Sequence, residues 1–425
     1  MTNPELLQLL RSEVIPAIGC TEPIAVALCT ARAKELLGAE PNSITVHLSK
    51  NVYKNALAVG IPNTGMTGLP IAIALGATVG KSEYLLEVLR DATPEAVTYA
   101  KEYMLRVPAT IKVDYEAPSL LYIHVEVSSN GQTAQATIMD EHTHFVEPGT
   151  RNQEASDISE IDTTANTLSL RRVYDFAASV DTTELTFLRE GAEMNTAAAE
   201  TSFADQYGHG LGRLLQANTL TATPEMEKLF GNTLFTKIIS YTCGACDARM
   251  SGAMVQVMSN SGSGNQGISC SIPVYLYAKE NNCTEEQTLR ALALSNLTVI
   301  YIKQSLGRLS ALCGCVVAAT GSAAGITYLM GGTYDEITYA IKNMIANISG
   351  MICDGAKPGC ALKVTSGVAT AIFSAYLAMQ HSYADSTEGI VEDDIDRTIR
   401  NLTRIGHDGM KVTDDLILDI MTHKQ

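Results

Sequence analysis

The chain opens on apolar positions at helical spacing: Leu6, Leu7, Leu9, Leu10 and Val14 predict an amphipathic helix that Pro16 brings to an end. An alanine-rich run over residues 24–37 predicts a second helix, with Thr21 or Cys20 placed to cap it and Pro23 in its first turn. At residue 43 the period falls to two. Ile44, Val46 and Leu48 alternate with polar neighbours, which predicts a strand over residues 43–49. Residues 51–68 are polar and glycine-rich. Helices are predicted over 69–75, 82–90 and 93–105, then strands over 111–115, 121–127 and 133–139, with Asn130-Gly131 as a hairpin turn between the last two.

Residues 151–168 are dominated by Ser, Asp and Thr and read as a linker or edge. Beyond Arg171 no convincing alternation occurs; stretches rich in Ala, Leu, Met and Gly keep helical spacing as far as Met421. The expected architecture is an α/β N-terminal domain, with a mixed or antiparallel sheet and helices, over residues 1–170. An all-α C-terminal catalytic domain follows over 171–425.

Composition narrows the partners. Of the 425 residues 46% are hydrophobic and 18% charged, which suits well-buried cores, and the net charge of −16 argues against nucleic acid or an anionic membrane surface. No basic n-region and apolar run opens the chain, and its apolar stretches are short and interrupted, so a cytoplasmic protein is expected. In that setting ten cysteines are core residues, metal ligands or catalytic thiols rather than disulfides.

Cys353 and Cys360 stand with six residues between them on a loop that holds Gly355, Pro358 and Gly359, flanked by Asp354, Lys357 and Lys363. Such a backbone lets two thiolates point at one centre while N–H groups face it. Cys313-Gly314-Cys315 precedes a run of small residues that predicts a closely packed helix, and Cys243 and Cys246 form a Cys-Gly-Ala-Cys. The unequal spacings fit a cluster assembled from separate helix ends better than a zinc knuckle, with buried core cysteines as the alternative. Cys243 and Cys246, read as opening an Ala/Met-rich helix, are taken as structural.

Near a helix start, Cys20 is where the dipole would lower a thiol pKa; a capped core cysteine is the other reading. Asn265 and Gln266 lie on a donor-rich turn able to bind an amino-acid carboxylate, or simply on an interhelical loop. Lys54, Asn55 and Asn63 reach the same site or belong to a solvated loop. His209 is a second acid/base or a surface histidine. No phosphate-cradling glycine loop accompanies a lysine, so pyridoxal phosphate is not expected.

Five motifs then carry a resemblance: GCTEPIA (19–25), SKNVYKNALAVGIPNTG (49–65), SGSGNQG (261–267), LCGC (312–315) and CDGAKPGC (353–360). Together, in this order, they resemble the L-cysteine desulfidase family, which is related to the alpha chain of iron–sulfur L-serine dehydratases. The resemblance implies a [4Fe–4S] cluster held by Cys313, Cys353 and Cys360, with Cys315 the rival to Cys313 and one iron open to substrate. It implies Cys20 as the base that removes the Cα proton of a small amino acid, and release of pyruvate, ammonia and hydrogen sulfide from L-cysteine. Dehydration of L-serine is the alternative, and a non-catalytic cluster or zinc protein is the alternative of another class. A homodimer is expected from the dehydratases.

Overall fold

In the computed structural model, which describes residues 1–147, 168–221 and 224–423, the chain begins with α1 (Asn3–Glu13), β1 (Pro16–Ile18) and α2 (Thr21–Leu37). Next come β2 (Ser43–Ser49), α3 (Lys50–Ala56), α4 (Leu69–Thr78), α5 (Pro94–Arg106), β3 (Thr110–Asp114), β4 (Tyr122–Ser129), β5 (Gln132–Met139) and β6 (Phe145–Val146). The alternation that predicted β2 puts Ile44, Val46 and Leu48 into the core. Five strands form a mixed sheet in the order β3-β2-β4-β5-β6, in which β2 and β3 run parallel and the other neighbours antiparallel. Asn130 and Gly131 both take positive φ, 53° and 80°, as a two-residue hairpin of matching twist requires. The polar residues 151–167 lie outside the described residues.

Two predicted elements differ. Residues 51–56, read as part of a polar stretch, belong to helix α3 because Val52 and Ala56 are drawn into the core. The helix predicted over 82–90 is instead a 3-10 turn at Ser82–Glu87, broken at Leu85 (φ 48°), which lets Leu86, Val88 and Leu89 all turn inward.

The second half holds α6 (Leu170–Ser179), α7 (Thr186–Ala204), α8 (Leu211–Thr221), α9 (Pro224–Phe230), α10 (Leu234–Met250), β7 (Gln256–Met258), α11 (Gly264–Glu280) and α12 (Glu285–Leu306). It ends with α13 (Gly314–Leu329), α14 (Tyr334–Ile348), α15 (Cys360–Met379), α16 (Ile395–Arg404) and α17 (Lys411–His423). It is mostly helical, as expected, with one strand that alternation over three residues could not reveal. At the centre lies α13, buried on every side from Cys315 to Thr327. Its small residues are required: a Cβ at Gly321 would sit 2.5 Å from the Ser295 carbonyl oxygen of α12. By length and composition α15 is apolar enough to cross a membrane, yet Val364, Val368, Ala371 and Ala375 on one of its faces are fully buried in the helical core.

Among the ties that join the halves, three bear on the site. Leu6 and Leu10 of α1 pack in the core of the helical half. β1 pairs antiparallel with β7, Pro16 opposite Met258. At the other end of the chain α17 docks on α3, where Asp414 accepts from both Lys54 and Asn51. The space left between the halves, above α13, is where the candidate residues gather.

Candidate active site

A cavity of about 100 Å3 lies between the halves. Its floor is made by two loops laid side by side. Leu312 and Ile352 form an antiparallel bridge, the Cys313 N–H donates to the Met351 carbonyl (3.0 Å) and the Cys353 N–H to the Ala311 carbonyl (2.7 Å). Backbone pairing thus brings together thiols forty residues apart in the chain. Cys360 joins them from the first turn of α15, and Cys315 from the first turn of α13. Gly355 (φ 86°) lets the loop pass against α3, since a Cβ there would meet the Lys54 carbonyl oxygen at 2.7 Å. Asp354 anchors the loop by accepting from Lys357 (2.5 Å) and from Lys363; against the opposing effect of burial, the two ammoniums hold its carboxyl down to about 2. The charges of Lys357 and Lys363 are therefore met within the loop.

The thiols differ in their proton affinity. A hydrogen bond from Cys315 holds Cys313 down, to about 7, while the same bond and burial push Cys315 well up. Burial raises Cys353, and raises Cys360 to about 11. Cys243 and Cys246 do not line the cavity. They lie in the second half of α10, not at its start as the sequence suggested, with Cys243 directed at Asp247 (3.7 Å).

The wall from the N-terminal half carries Cys20, the residue just before α2. Its thiol donates to Glu22 Oε2 (3.3 Å), the same oxygen that accepts from Thr21 (3.1 Å), and Asn55 Nδ2 donates to Glu22 Oε1 (3.1 Å). Here an expectation fails: burial, and then the neighbouring Glu22 carboxylate, push the Cys20 thiol well above its ordinary value, outweighing the helix dipole. Glu22 itself ends below its usual range. Burial opposes its charge and a protonated His142 would favour it, but the bonds from Cys20 and Thr21 favour it whatever state His142 holds. His142 Nε2 lies 4.0 Å from Glu22 Oε1, and burial lowers His142 to about 4, so this pair is a carboxylate beside a neutral imidazole at neutral pH.

The helical half supplies Asn265 and Gln266 from the first turn of α11 and Arg249 from the last turn of α10. Arg249 is only 1% exposed. It donates through Nη1 to Asn265 Oδ1 (2.9 Å), while its Nε and Nη2 have no hydrogen-bond partner. Gly264 makes room for it, since a Cβ there would lie 2.3 Å from Arg249 Nε. Buried oxygens of Gln266 (Oε1) and Asn55 (Oδ1) are also without partners. Lys303, brought down to about 8 by burial and then by Arg308, donates to the Arg308 carbonyl (2.9 Å), and Arg308 pairs with Glu13 (2.6 Å).

Of the residues singled out in the sequence, Cys20, Asn55, Asn265, Gln266, Cys313, Cys315, Cys353 and Cys360 share this cavity. Lys54 does not line it: although buried beneath it, Lys54 is taken by Asp414. Asn63 donates to the Ala92 carbonyl (3.3 Å), away from the cavity. The His209 backbone N–H donates to Asp247 (3.3 Å), and the His209 imidazole stands beside Gly359 at the start of α15 without lining the cavity. Glu22, His142, Arg249 and Lys303 were missed. Glu22 had a signal, an acid two residues beyond a candidate thiol; Arg249 had none, being one arginine in a helix.

One pattern spans the wall. The starts of α2, α11, α13 and α15 all reach the cavity, and the residues preceding them, Cys20, Ser263, Cys313 and Gly359, make no side-chain cap. Four helix dipoles converge there, which favours anions, although the first N–H groups of α15, at Cys360, Ala361 and Leu362, already donate to the carbonyls of Lys357, Pro358 and Gly359.

Residues 83–419 match the serine dehydratase alpha chain. The chain belongs to that family. Similar proteins over essentially the whole length include a UPF0597 protein of Phocaeicola vulgatus, 56% identical over 99% of this chain and 98% of its own. Those of Porphyromonas gingivalis (48%; 100% and 99%) and Oleidesulfovibrio alaskensis (41%; 100% and 100%) are similar as well. The serine dehydratase alpha-chain match covers the thiol loops, Arg249 and Asn265. It begins beyond Cys20, Glu22 and Asn55, which the structure adds to the same cavity.

Proposed function

We propose that the protein is an iron–sulfur lyase that degrades L-cysteine to pyruvate, ammonia and hydrogen sulfide, with L-serine dehydration as the alternative specificity. The observation that carries this is one cavity shared by four thiols, a fifth cysteine held on a carboxylate, and four uncapped helix starts. Among the described residues no three His, Cys, Asp or Glu side chains are gathered closely enough to hold a single metal ion. Soft thiols spread around one cavity suit a group larger than one ion, and dipoles pointing inward suit its negative charge. Cys313, Cys353 and Cys360 would hold a [4Fe–4S] cluster. Cys313 is favoured over Cys315 because it stands before the helix and accepts the hydrogen bond that Cys315 donates. Bound there, the cluster supplies a Lewis-acidic iron for the departing β-thiol or β-hydroxyl.

The chain's own residues do the rest. Cys20 takes the Cα proton; before it can, its thiol must shed one, and Glu22 Oε2 at 3.3 Å is the acceptor. Asn55 and Thr21 hold Glu22 in position for this. Closure of the cavity by both halves excludes water from the reacting carbon, and the aminoacrylate released afterwards tautomerises and hydrolyses to pyruvate and ammonia. A closed, non-catalytic site would recruit Cys315 as a fourth ligand and leave the Cys20–Glu22 pair without a task.

Anaerobic loading with iron and sulfide, followed by a pyruvate assay on L-cysteine and on L-serine, tests the proposal. Turnover of at least one is expected. A filled cluster with turnover of neither would overturn the lyase reading, and loss of iron from Cys315→Ser but not from Cys313→Ser would reverse the ligand choice.

A further inference from the structure

A guanidinium that is 1% exposed requires a counter-charge, because an unpaired buried cation is strongly unfavourable. Among the described residues no carboxylate forms an ion pair with Arg249. Its only hydrogen bonds run through Nη1, to Asn265 Oδ1 and, at 3.3 Å, to the weakly accepting Met250 sulfur. Nε and Nη2, two adjacent donors in the planar fork, are left over. Next to them Asn265 Nδ2 is also committed only to the Met250 sulfur, at 3.2 Å. Three donors and the uncapped start of α11 thus surround one part of the cavity wall.

Acceptors are left over around the same cavity, one on each half of the chain. Asn55 Oδ1 is oriented by the bond its Nδ2 gives to Glu22, and it has no partner; Gln266 Oε1 has none either. Unsatisfied donors and unsatisfied acceptors around one cavity are the complement of a zwitterion. We infer that Arg249, with Asn265, seats the α-carboxylate of the substrate and that the Asn55 and Gln266 oxygens receive its α-ammonium, so that the site selects free α-amino acids.

The fork binds a carboxylate through two parallel bonds, and Gly264 is what allows the guanidinium to lie against α11. Carboxylate amides and esters lack the charge and are rejected; 2-keto acids satisfy Arg249 but leave both acceptors bare, and 2-hydroxy acids offer a single uncharged donor to the two. Lysine keeps the charge of Arg249 and loses its fork, so Arg249→Lys separates charge from geometry.

This inference deepens the lyase reading and rests on it for the identity of the ligand, so its test reads binding without chemistry. L-Alanine has the zwitterion but no β leaving group; L-alaninamide lacks only the carboxylate charge. Binding of each to the cluster-loaded protein is followed by calorimetry for the unaltered chain, Arg249→Gln and Arg249→Lys. The unaltered chain is expected to bind L-alanine at least about 10-fold more tightly than the amide, Arg249→Gln to lose about 10- to 100-fold for L-alanine alone, and Arg249→Lys to fall between. Equal binding of L-alanine and its amide by the unaltered chain would overturn the inference with no variant needed, as would an Arg249→Lys that folds, holds iron and binds L-alanine as before. Absence of turnover on L-cysteine and L-serine, with the alanine contrast intact, would remove the lyase reading and leave the carboxylate seat standing.

Discussion

Seven helix starts at the periphery and the four at the cavity wall are built in opposite ways, although α3, α4 and α7 also begin without a side-chain cap. Thr2, Thr93, Ser169, Thr233, Thr284, Thr333 and Asp394 cap α1, α5, α6, α10, α12, α14 and α16 through their side chains. Cys20, Ser263, Cys313 and Gly359 leave α2, α11, α13 and α15 without such caps. The contrast extends to buried polar groups. Outside the cavity lining Lys54 is paired with Asp414 and the buried Asn195 is bonded to Met258 and Ser271, whereas Arg249, Asn55 and Gln266 carry atoms with no partner. Each missing cap costs on the order of 1 kcal/mol, and each unmet buried donor or acceptor about as much or more. Unsatisfied groups occur elsewhere too, at Arg189 Nε and Ser269 Oγ for instance, but a set of donors and acceptors meets around one cavity of about 100 Å3, where a ligand rather than the fold can satisfy it.

The sharpest way to break this contrast is to put a cap where one is missing. Serine is among the best residues to precede a helix, and its oxygen can accept from the first turn of α2. Cys20→Ser is expected to leave stability unchanged or raise it by up to about 1 kcal/mol, to retain iron, and to lower turnover by about 1000-fold, the usual weight of a general base. Urea unfolding, iron content and pyruvate release measure the three. An active variant would take Cys20 out of the mechanism. A variant destabilised by more than about 1 kcal/mol would show that the absent cap is no concession to function.

A smaller effect comes from charging the cavity side. His142 titrates near 4 in the folded protein, mainly through burial, against an ordinary value of 6.5. Between those values the unfolded chain holds a proton that the folded one lacks, so the contribution to stability is full above about pH 6.5 and is lost as pH falls toward 4. Glu22 and Glu141 pull the value up, and Arg308 and Lys303 push it down. Lowering pH from 7 to 5 should therefore remove about 2 kcal/mol through this group, and His142→Gln should flatten the pH dependence by that amount in urea titrations. An unchanged slope in the variant would mean that His142 is already charged in the fold and pairs with Glu22.

How much of this was legible beforehand depended on range. Period-two alternation and the Asn130-Gly131 turn placed the strands to within a few residues, since both are local signals. The five motifs marked the thiols and the Cys20 region for the same reason. Nothing local announced that α3 would form inside a polar stretch, because Val52 and Ala56 acquire their meaning only from a core built elsewhere. Arg249 was invisible on similar grounds: a single arginine in a helix reads as solvated until the fold buries it against Gly264. Lys54 erred the other way. Its motif placed it near the site, but α17, a helix some 360 residues further along, claims its charge. The direction of the Cys20 shift was misjudged because the dipole is read from sequence and burial is not.

The smallest expected effect tests the other side of the contrast. Thr284 closes a capping box with Gln287 at the exposed start of α12: its hydroxyl accepts from the Gln287 N–H (3.2 Å), and its own N–H donates to Gln287 Oε1 (2.8 Å). Thr284→Ala should cost about 1 kcal/mol, lower Tm by no more than about 2 °C, and leave KM and kcat unaltered. The choice of helix matters, because the far end of α12 carries Lys303 in the cavity wall. If periphery and cavity are separate in energy, fraying at Thr284 stops within the first turn and Lys303 keeps its place on the Arg308 carbonyl. A raised KM would mean that α12 transmits the loss along its 22 residues, and the capped helix starts would then belong to the site as much as the uncapped ones do.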